Sequence, residues 1–240
     1  RLRRYLNLKI YLLFTIWKSY AIFVHMIPAW VILVWPLAFI LRKKIYLWYT
    51  HGAVPMSLCV AEKMVAKIFT ASRESFRLKS NKIEIVGHGI DINFFESELQ
   101  ELPSKIKLLS VSRITKSKDL ATLILSVADL VGRNYKNVSL DIVGAPILEN
   151  DKQYLNELQS LVKEKNIQAQ INFLGAKNYV EMPAVYKAYN IFLHASKTGS
   201  LDKAVLEALA GGLQVITSSE AYGEYSGALH KFKIMDHCIF

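Results

Sequence analysis

The sequence has only two cysteines in 240 residues, Cys59 and Cys238, and they are far apart in the chain without metal-ligand spacing. This scarcity excludes a scaffold held by several disulfides and a cysteine-ligated zinc site. It favours a protein of a reducing compartment, whose stability comes from a packed core rather than from covalent cross-links.

Acidic residues are absent from the first 44 positions, which carry eight lysines and arginines. Residues 1–100 hold 14 basic and 6 acidic side chains, a net charge of +8, whereas residues 101–240 hold 16 and 14, a net charge of +2. A basic, apolar front suits an anionic membrane surface, a phosphate-bearing substrate or nucleic acid. Its aromatic residues lie inside aliphatic runs rather than between basic residues, so we expect no nucleic-acid binding.

The sequence also lacks an unbroken apolar run of the length that spans a membrane. Residues 19–41 carry no charge apart from His25, but His25, Pro28 and Pro36 interrupt them. About 15 continuous apolar residues remain, which favours a buried or interfacial helix over a transmembrane span. The start has no small-residue cleavage site after its basic residues, as a signal peptide would. We expect a cytoplasmic protein able to attach peripherally to the inner face of the cell membrane.

Strands alternate with helices along the chain in two series. The first series predicts strands at 21–25, 44–49, 68–71 and 83–86, helices at 3–19, 28–41 and 57–67, and a helical turn at 72–78. The second predicts strands at 106–111, 138–143, 171–174, 191–195 and 214–217, and helices at 119–131, 151–165, 180–188 and 202–210. The tail from residue 222 has no clear pattern.

The strands are near-continuous apolar runs, which is typical of parallel sheets covered on both faces. Residues 96–105 have the composition of a linker. We therefore predict an α/β protein with two Rossmann-like, doubly wound domains, over residues 1–102 and 103–240, with ligands at the carboxyl ends of the strands.

Residues 197–212 have the pattern of a strand–turn–helix anion site. Gly199 permits a close backbone approach, and Ser200 is a good helix N-cap. The first amides of the following helix carry the positive end of its dipole and can bind an anion. The alternative is an ordinary connection to a capped helix.

Three further side chains are candidates for binding a diphosphate and a ribose. Arg113 and Lys118 flank the loop after the strand at 106–111. The forked guanidinium of an arginine and the compact ammonium of a lysine together suit a diphosphate. Glu207 is placed to accept hydrogen bonds from ribose hydroxyls. The alternatives are a solvated basic loop and a surface ion pair between Lys203 and Glu207.

His51 follows a predicted strand and precedes Gly52. At the carboxyl end of a strand, a histidine can hydrogen-bond a sugar hydroxyl or stabilise developing charge. A structural or solvated loop histidine is the alternative.

The order of motifs resembles that of family 4 glycosyltransferases, retaining enzymes of the GT-B fold that use a nucleotide-diphosphate sugar. The resemblance rests on six segments that follow in the family's order and spacing: Gly-His-Gly-Ile-Asp-Ile-Asn-Phe-Phe at 87–95, Ser-Arg…Lys-Asp at 112–119, Asp-Ile-Val-Gly at 141–144, Phe-Leu-Gly at 173–175, Ala-Tyr-Asn-Ile-Phe at 188–192 and Leu-Glu-Ala-Leu-Ala-Gly-Gly at 206–212.

Each candidate residue takes a role from this resemblance. It implies donor-diphosphate ligands at Arg113 and Lys118, a ribose ligand at Glu207, a catalytic cleft histidine at His51, and base contacts through the backbone of Ala176 and Lys177. The loop for the phosphates or donor sugar would consist of Gly199, Ser200, Leu201, Asp202 and Lys203. The resemblance also implies that no metal or other cofactor is needed, since basic side chains and the helix dipole neutralise the leaving diphosphate.

The sequence departs from the family pattern in three places. Gly199 stands where the family usually has a glutamate, which leaves open whether Asp202 holds the donor sugar instead. The family's amino-terminal glycine-rich loop and its final crossing helices are missing, so we expect a fragment with both domains incomplete.

The resemblance implies a hexosyltransferase that uses a saccharide, a lipid-linked acceptor or a cell-envelope polysaccharide precursor. A nucleotide-sugar epimerase, a non-catalytic nucleotide-sugar or lipid-binding module and a membrane-anchored structural protein are the alternatives.

Overall fold

The structure, a computed structural model, describes residues 14–97 and 106–222, together with the backbone of residues 229–231. The chain divides into two compact units, Arg1–His88 and Gly89–Phe240. This division falls earlier than the predicted boundary after residue 102. The reason is that Phe95, in helix α3 (Ile92–Phe95), packs edge-on against Tyr186 of the second unit, with ring centroids 5.7 Å apart. The predicted linker lies mostly outside the described residues.

The first unit contains a four-stranded parallel sheet in the order β1-β2-β3-β4. Val24, Leu47 and Ile68 are aligned on one face of three neighbouring strands and are buried against the helices. The elements are β1 (Ala21–His25), α1 (Pro28–Ile40), β2 (Lys44–Trp48), α2 (Met56–Met64), β3 (Lys67–Thr70) and β4 (Ile83–Ile85).

The helical turn predicted at residues 72–78 is wrong, because this stretch consists of turns and bends. The Ser72 hydroxyl accepts a hydrogen bond from the Ser75 amide at 3.2 Å and lies 2.9 Å from the Ser75 hydroxyl. A serine hydroxyl that accepts from the amide three residues later makes the bond of a helix N-cap, but here it is followed only by one turn, in which the Phe76 amide donates to the Arg73 carbonyl at 3.3 Å.

The second unit contains a six-stranded parallel sheet in the order β10-β9-β8-β5-β6-β7. This is the doubly wound order in which the direction of winding reverses between the first and fourth strands of the unit, here β5 and β8. The elements are α3, β5 (Ile106–Val111), α4 (Leu120–Gly132), β6 (Val138–Val143), α5 (Glu149–Glu164), β7 (Ile171–Gly175), α6 (Met182–Lys187), β8 (Ile191–His194), α7 (Lys203–Ala210), β9 (Gln214–Thr217) and β10 (Leu229–Lys231).

The predicted fold class, an α/β protein with two parallel sheets, is confirmed. Strand β10 lies in the tail where no pattern was recognised. Helix α1 has 13 residues, about 20 Å of length against about 30 Å of hydrocarbon. Over the described ranges, no helix is long and apolar enough to cross a membrane.

Candidate functional site

Two loops leave the sheet of the second unit at neighbouring strand ends, where the direction of winding reverses. Strand β5 ends at Val111 and β8 ends at His194, and the two strands pair in parallel. The Lys197 amide of one loop donates to the Ser117 carbonyl of the other at 3.0 Å, and Lys197 Nζ lies 2.9 Å from Asp119 Oδ2. Ligands of doubly wound sheets bind at this position, so the two loops define a candidate site.

Lys118 is the basic side chain at the centre of this site. Its side chain is only 10% exposed, and Nζ lies 2.6 Å from Asp202 Oδ2 and 3.4 Å from Ser196 Oγ. Two loops that are distant in sequence therefore meet at one ammonium group. Since an ammonium has three N–H donors, one remains for a ligand after these two contacts.

The carboxylate of Asp202 is fixed by a second partner, His194. His194 Nε2 lies 2.7 Å from Asp202 Oδ2, and Nδ1 lies 2.9 Å from Thr217 Oγ1. Thr217 Oγ1 already accepts from the Ser219 amide at 3.1 Å, which leaves its proton to donate to Nδ1. In the neutral imidazole, Nε2–H then donates to Asp202.

Asp202 is ionised at neutral pH in this setting. Burial alone would raise the pKa of its carboxyl group, but the hydrogen bond from His194 and the positive charge of Lys118 outweigh burial and lower the pKa to about 2. The site therefore holds a fixed negative charge beside a fixed positive one.

The prediction that Ser200 caps the following helix is wrong. Helix α7 begins at Lys203, and Asp202 occupies the N-cap position without a side-chain capping bond. The Ser200 hydroxyl lies 2.7 Å from the Thr198 hydroxyl instead. The side chain of Asp202 cannot cap because it is held by Lys118 and His194.

The backbone of Asp202 is held by Tyr222. The Asp202 amide donates to the Tyr222 hydroxyl at 2.6 Å, and this hydroxyl donates back to the Asp202 carbonyl at 3.1 Å. One of the amides expected to meet a phosphate therefore has a protein partner. Before this turn, Gly199 has a φ of +64°, a left-handed conformation that favours glycine.

Glu207 points into the second unit rather than forming the alternative surface pair with Lys203. Glu207 is buried, and its Oε2 atom accepts a hydrogen bond from the hydroxyl of the fully buried Tyr186 at 2.9 Å. Burial raises the pKa of Glu207, whereas the Tyr186 hydrogen bond and the Lys203 charge lower it less strongly. Burial, the Glu207 charge and the hydrogen bond to it likewise raise the pKa of Tyr186.

Arg113 is exposed near the start of the loop after β5, and its neighbour Ile114 is buried and anchors the loop. Gly144, after β6, has a φ of +146°, and a Cβ atom built on it would lie 1.8 Å from the Ser112 carbonyl oxygen. The position of the loop that carries Arg113 therefore depends on the absence of a side chain at Gly144.

The predicted base-binding residues, Ala176 and Lys177, are exposed directly after β7, at the carboxyl edge of the same sheet. Lys177 Nζ lies 3.9 Å from Glu181 Oε1. Gly175, before them, has a φ of +72°.

His51 lies in the first unit, exposed after β2. Its Nδ1 accepts a hydrogen bond from the Ala53 amide at 2.9 Å, and the Tyr49 hydroxyl donates to the Ala53 carbonyl at 2.8 Å. These bonds fix the imidazole orientation and leave Nε2, as a donor in the neutral ring, facing solvent.

Sequence reasoning missed the groups that support the site: His194, Thr217, Tyr222 and Tyr186. His194 and Thr217 are the last residues of two neighbouring strands, β8 and β9. A polar residue at the end of an apolar run was the sequence feature that could have identified both. Tyr222 lies in the tail that carried no pattern. In the part of the chain that is described, no group of three or more histidine, cysteine or acidic side chains could hold a metal ion.

The sequence of this chain is similar to a protein family and to a curated protein. Residues 91–227 match the family described as glycosyl transferases group 1. An alpha-monoglucosyldiacylglycerol synthase of Streptococcus pneumoniae is 30% identical over 160 residues, which cover 61% of this chain and 34% of that protein. The chain thus spans about a third of this curated relative.

Solved structures share the fold. A crystal structure of Anabaena Alr3699/HepE in complex with UDP has a TM-score of 0.77 at 16% identity, covering 92% of this chain and 66% of that one. A glycosyltransferase from Rickettsia africae has a TM-score of 0.71 at 16% identity, covering 88% and 62% respectively. The match extends over both units, and the fold is that of GT-B proteins.

Proposed function

This chain belongs to the glycosyl transferases group 1 family, and on that premise we propose that it moves a hexose from a nucleoside diphosphate to an acceptor hydroxyl with retention at the anomeric carbon. The observation that carries the proposal is the nearly buried Lys118 ammonium at the point where winding reverses, held by Asp202 with one N–H to spare. The structural neighbour from Anabaena was solved with UDP and with UDP-glucose, which supports UDP-glucose as the first donor to test.

In the proposed reaction the bond between the sugar's anomeric carbon and the diphosphate oxygen breaks, and its electron pair remains on the diphosphate. The acceptor oxygen forms the new bond to that carbon, and its proton passes to the departing diphosphate. Lys118, the Arg113 guanidinium and the amino end of α7 stabilise the developing negative charge. Because these groups supply the positive charge, we propose that turnover needs no metal ion.

Glu207 and Asp202 would recognise the sugars of the donor. Lys118 and His194 both contact Oδ2 of the Asp202 carboxylate, and Tyr186 contacts Oε2 of Glu207. Each carboxylate therefore has a second oxygen, for ribose hydroxyls at Glu207 and for donor-sugar hydroxyls at Asp202. In this assignment Asp202 takes over from the acid that is missing at position 199, and Ala176 and Lys177 contact the base.

The acceptor would be lipid-linked or a cell-envelope polysaccharide precursor, and the protein would work in the cytoplasm on the inner face of the membrane. The name of the pneumococcal relative and the basic first hundred residues support this assignment. His51, with Nε2 facing solvent, is proposed to contact the reacting sugar or the acceptor.

The donor site is tested by titrating UDP-glucose into the wild type and two lysine variants. Lys118→Gln should weaken binding by about tenfold to a hundredfold, the effect of losing one charged hydrogen bond. Lys116→Gln is the matched control, because this neighbouring lysine is 72% exposed and pairs with Glu157 on the surface. Equal affinities of the two variants would contradict the assignment.

Product analysis separates the proposed transferase from its rivals. Sugar should appear on a diacylglycerol or other lipid acceptor, with its anomeric configuration retained and with full turnover in the presence of a chelator. An altered donor sugar formed without acceptor would indicate an epimerase. Donor binding without turnover in the complete protein would indicate a binding module.

A further inference from the structure

Helix α1 has an outer face that is apolar over its whole length. No charged residue occurs between Pro28 and Ile40, and the exposed side chains recur at helical spacing on one side. They are Trp30, Leu33, Pro36, Phe39 and Ile40, with Leu33 60%, Phe39 69% and Ile40 75% exposed. The opposite side, formed by Val31, Val34 and Ala38, is buried in the core of the first unit. Surface helices of water-soluble domains place polar residues outward, so this face needs an apolar partner.

A basic turn closes the same helix. The Arg42 amide donates to the Phe39 carbonyl at 3.1 Å, and the Lys43 amide donates to the Ala38 carbonyl at 2.8 Å. This is a Schellman ending with Arg42 at the left-handed position, at a φ of +52°, where glycine is usual. The turn therefore holds Arg42, Lys43 and Lys44 in a fixed place beside Phe39 and Ile40.

Between the basic turn and α2 lies an open cleft of about 350 Å³. One wall carries Trp35 and Phe39, whose rings stack with centroids 5.1 Å apart, and none of the ten lining residues is acidic. The cleft combines three cations with two aromatic rings, which suits a phosphate group whose acyl chains continue along an apolar surface.

We propose that the outer face of α1 and its basic turn form a docking surface for an anionic phospholipid bilayer, with the helix lying in the interface and a lipid phosphate at Arg42, Lys43 and Lys44. Charge complementarity favours this occupant, because the charged residues that end the apolar face are all positive. The helix is too short to span a bilayer but long enough to lie in its surface. The surface is formed by the first unit alone, so the inference does not depend on the proposed donor site.

The test measures binding of the full chain to vesicles of phosphatidylcholine with phosphatidylglycerol, and of phosphatidylcholine alone, by flotation without nucleotide. The wild type should bind the anionic vesicles more tightly, and salt should weaken this binding. Lys43→Gln/Lys44→Gln should lower the affinity about thirtyfold, since each lysine near an anionic surface contributes about a factor of five. Arg42 stays unchanged to preserve the turn.

A second variant tests the apolar part. Leu33→Gln/Phe39→Gln should lower the affinity by more than about tenfold, because two apolar side chains no longer enter the interface. The matched controls are Ile147→Gln/Leu148→Gln, two apolar residues of the second unit that are each 65% exposed, and Lys136→Gln/Lys163→Gln, two exposed lysines. Both controls should bind vesicles as the wild type does.

Three results would overturn the inference: equal affinity for neutral and anionic vesicles, wild-type binding by both α1 variants, or a dimer in solution that Leu33→Gln/Phe39→Gln dissociates. UDP titration of the same proteins keeps the two proposals separate. A chain that binds UDP but not vesicles would contradict only the proposed docking surface. A chain that binds vesicles but not UDP would contradict only the proposed function.

Discussion

Replacing Asp202 by asparagine tests the central electrostatic feature of the site. The substitution keeps the shape of the side chain but removes the charge that faces Lys118 at 2.6 Å and His194 at 2.7 Å. The pKa of Asp202 falls from an ordinary value of 3.8 to about 2, a difference equivalent to about 2 kcal/mol of stability at neutral pH. Asp202→Asn should therefore be less stable than the wild type by about this amount.

The lowered pKa of Asp202 also determines how its contribution to stability changes with pH. Because the folded pKa is the lower one, the contribution is complete above about pH 4 and is lost as the pH falls towards about 2. The difference between the wild type and Asp202→Asn should shrink over this interval. Urea unfolding, followed by fluorescence at a series of pH values, measures this difference.

Glu149→Gln is the control for this experiment. Its carboxylate is 85% exposed and pairs with Lys152 on the surface, so its loss should change stability by less than about 0.5 kcal/mol. A difference for Asp202→Asn that is absent at neutral pH, or that stays constant on acidification, would refute the ion-pair account.

Three further substitutions test the surrounding site. Gly144→Ala should destabilise the protein and weaken UDP binding, since its Cβ meets the Ser112 carbonyl oxygen, whereas Gly132→Ala, with no atom within 4 Å, should leave thermal unfolding and UDP titration unchanged or slightly improve stability. Arg113→Ala should weaken UDP binding by about 1.5–3 kcal/mol without changing the unfolding temperature, as its side chain is exposed; unchanged affinity would exclude it as a diphosphate ligand. Glu207→Gln should weaken binding of UDP more than binding of inorganic diphosphate, because only UDP has the ribose; an equal loss for both would argue against a ribose contact.

The strands of both units were predictable because each contains a short apolar run, even though the first sheet leaves Phe23 of β1 60% exposed and Ile85 of β4 45% exposed. Strands β1, β5, β6 and β9 begin and end where the pattern places them. Helix α7 and the segment at 72–78 were harder, since their starts depend on side-chain hydrogen bonds. Asp202 stands at the N-cap position of α7, but its side chain binds Lys118 and His194 instead of capping the helix, whereas Ser72 makes a capping bond to Ser75 that no helix follows.

The candidate site was predictable as a set of loops but not as a set of contacts. Parallel strands bring their carboxyl ends to one edge, which predicts that Lys118 and the loop before α7 lie close together. The pairing of Lys118 with Asp202 rather than with another acid depends on loop geometry, including the tie between Lys197 and Ser117. No local pattern encodes such a contact.

The sequence by itself determined the two α/β units, the edge of the sheet where the loops meet and the basic character of the first hundred residues, because apolar periodicity and charge are properties of neighbouring residues. Only the tertiary structure decided that His194 and Tyr222 fix Asp202, that Tyr186 turns Glu207 inward, and that the outer face of α1 stays apolar. These features arise between residues that lie apart in the sequence, by eight positions for His194 and Asp202, 20 for Tyr222 and Asp202 and 21 for Tyr186 and Glu207, or from which side of a helix the core covers. Their energies are set by burial and by distance in space, and neither quantity can be read from the order of residues along the chain.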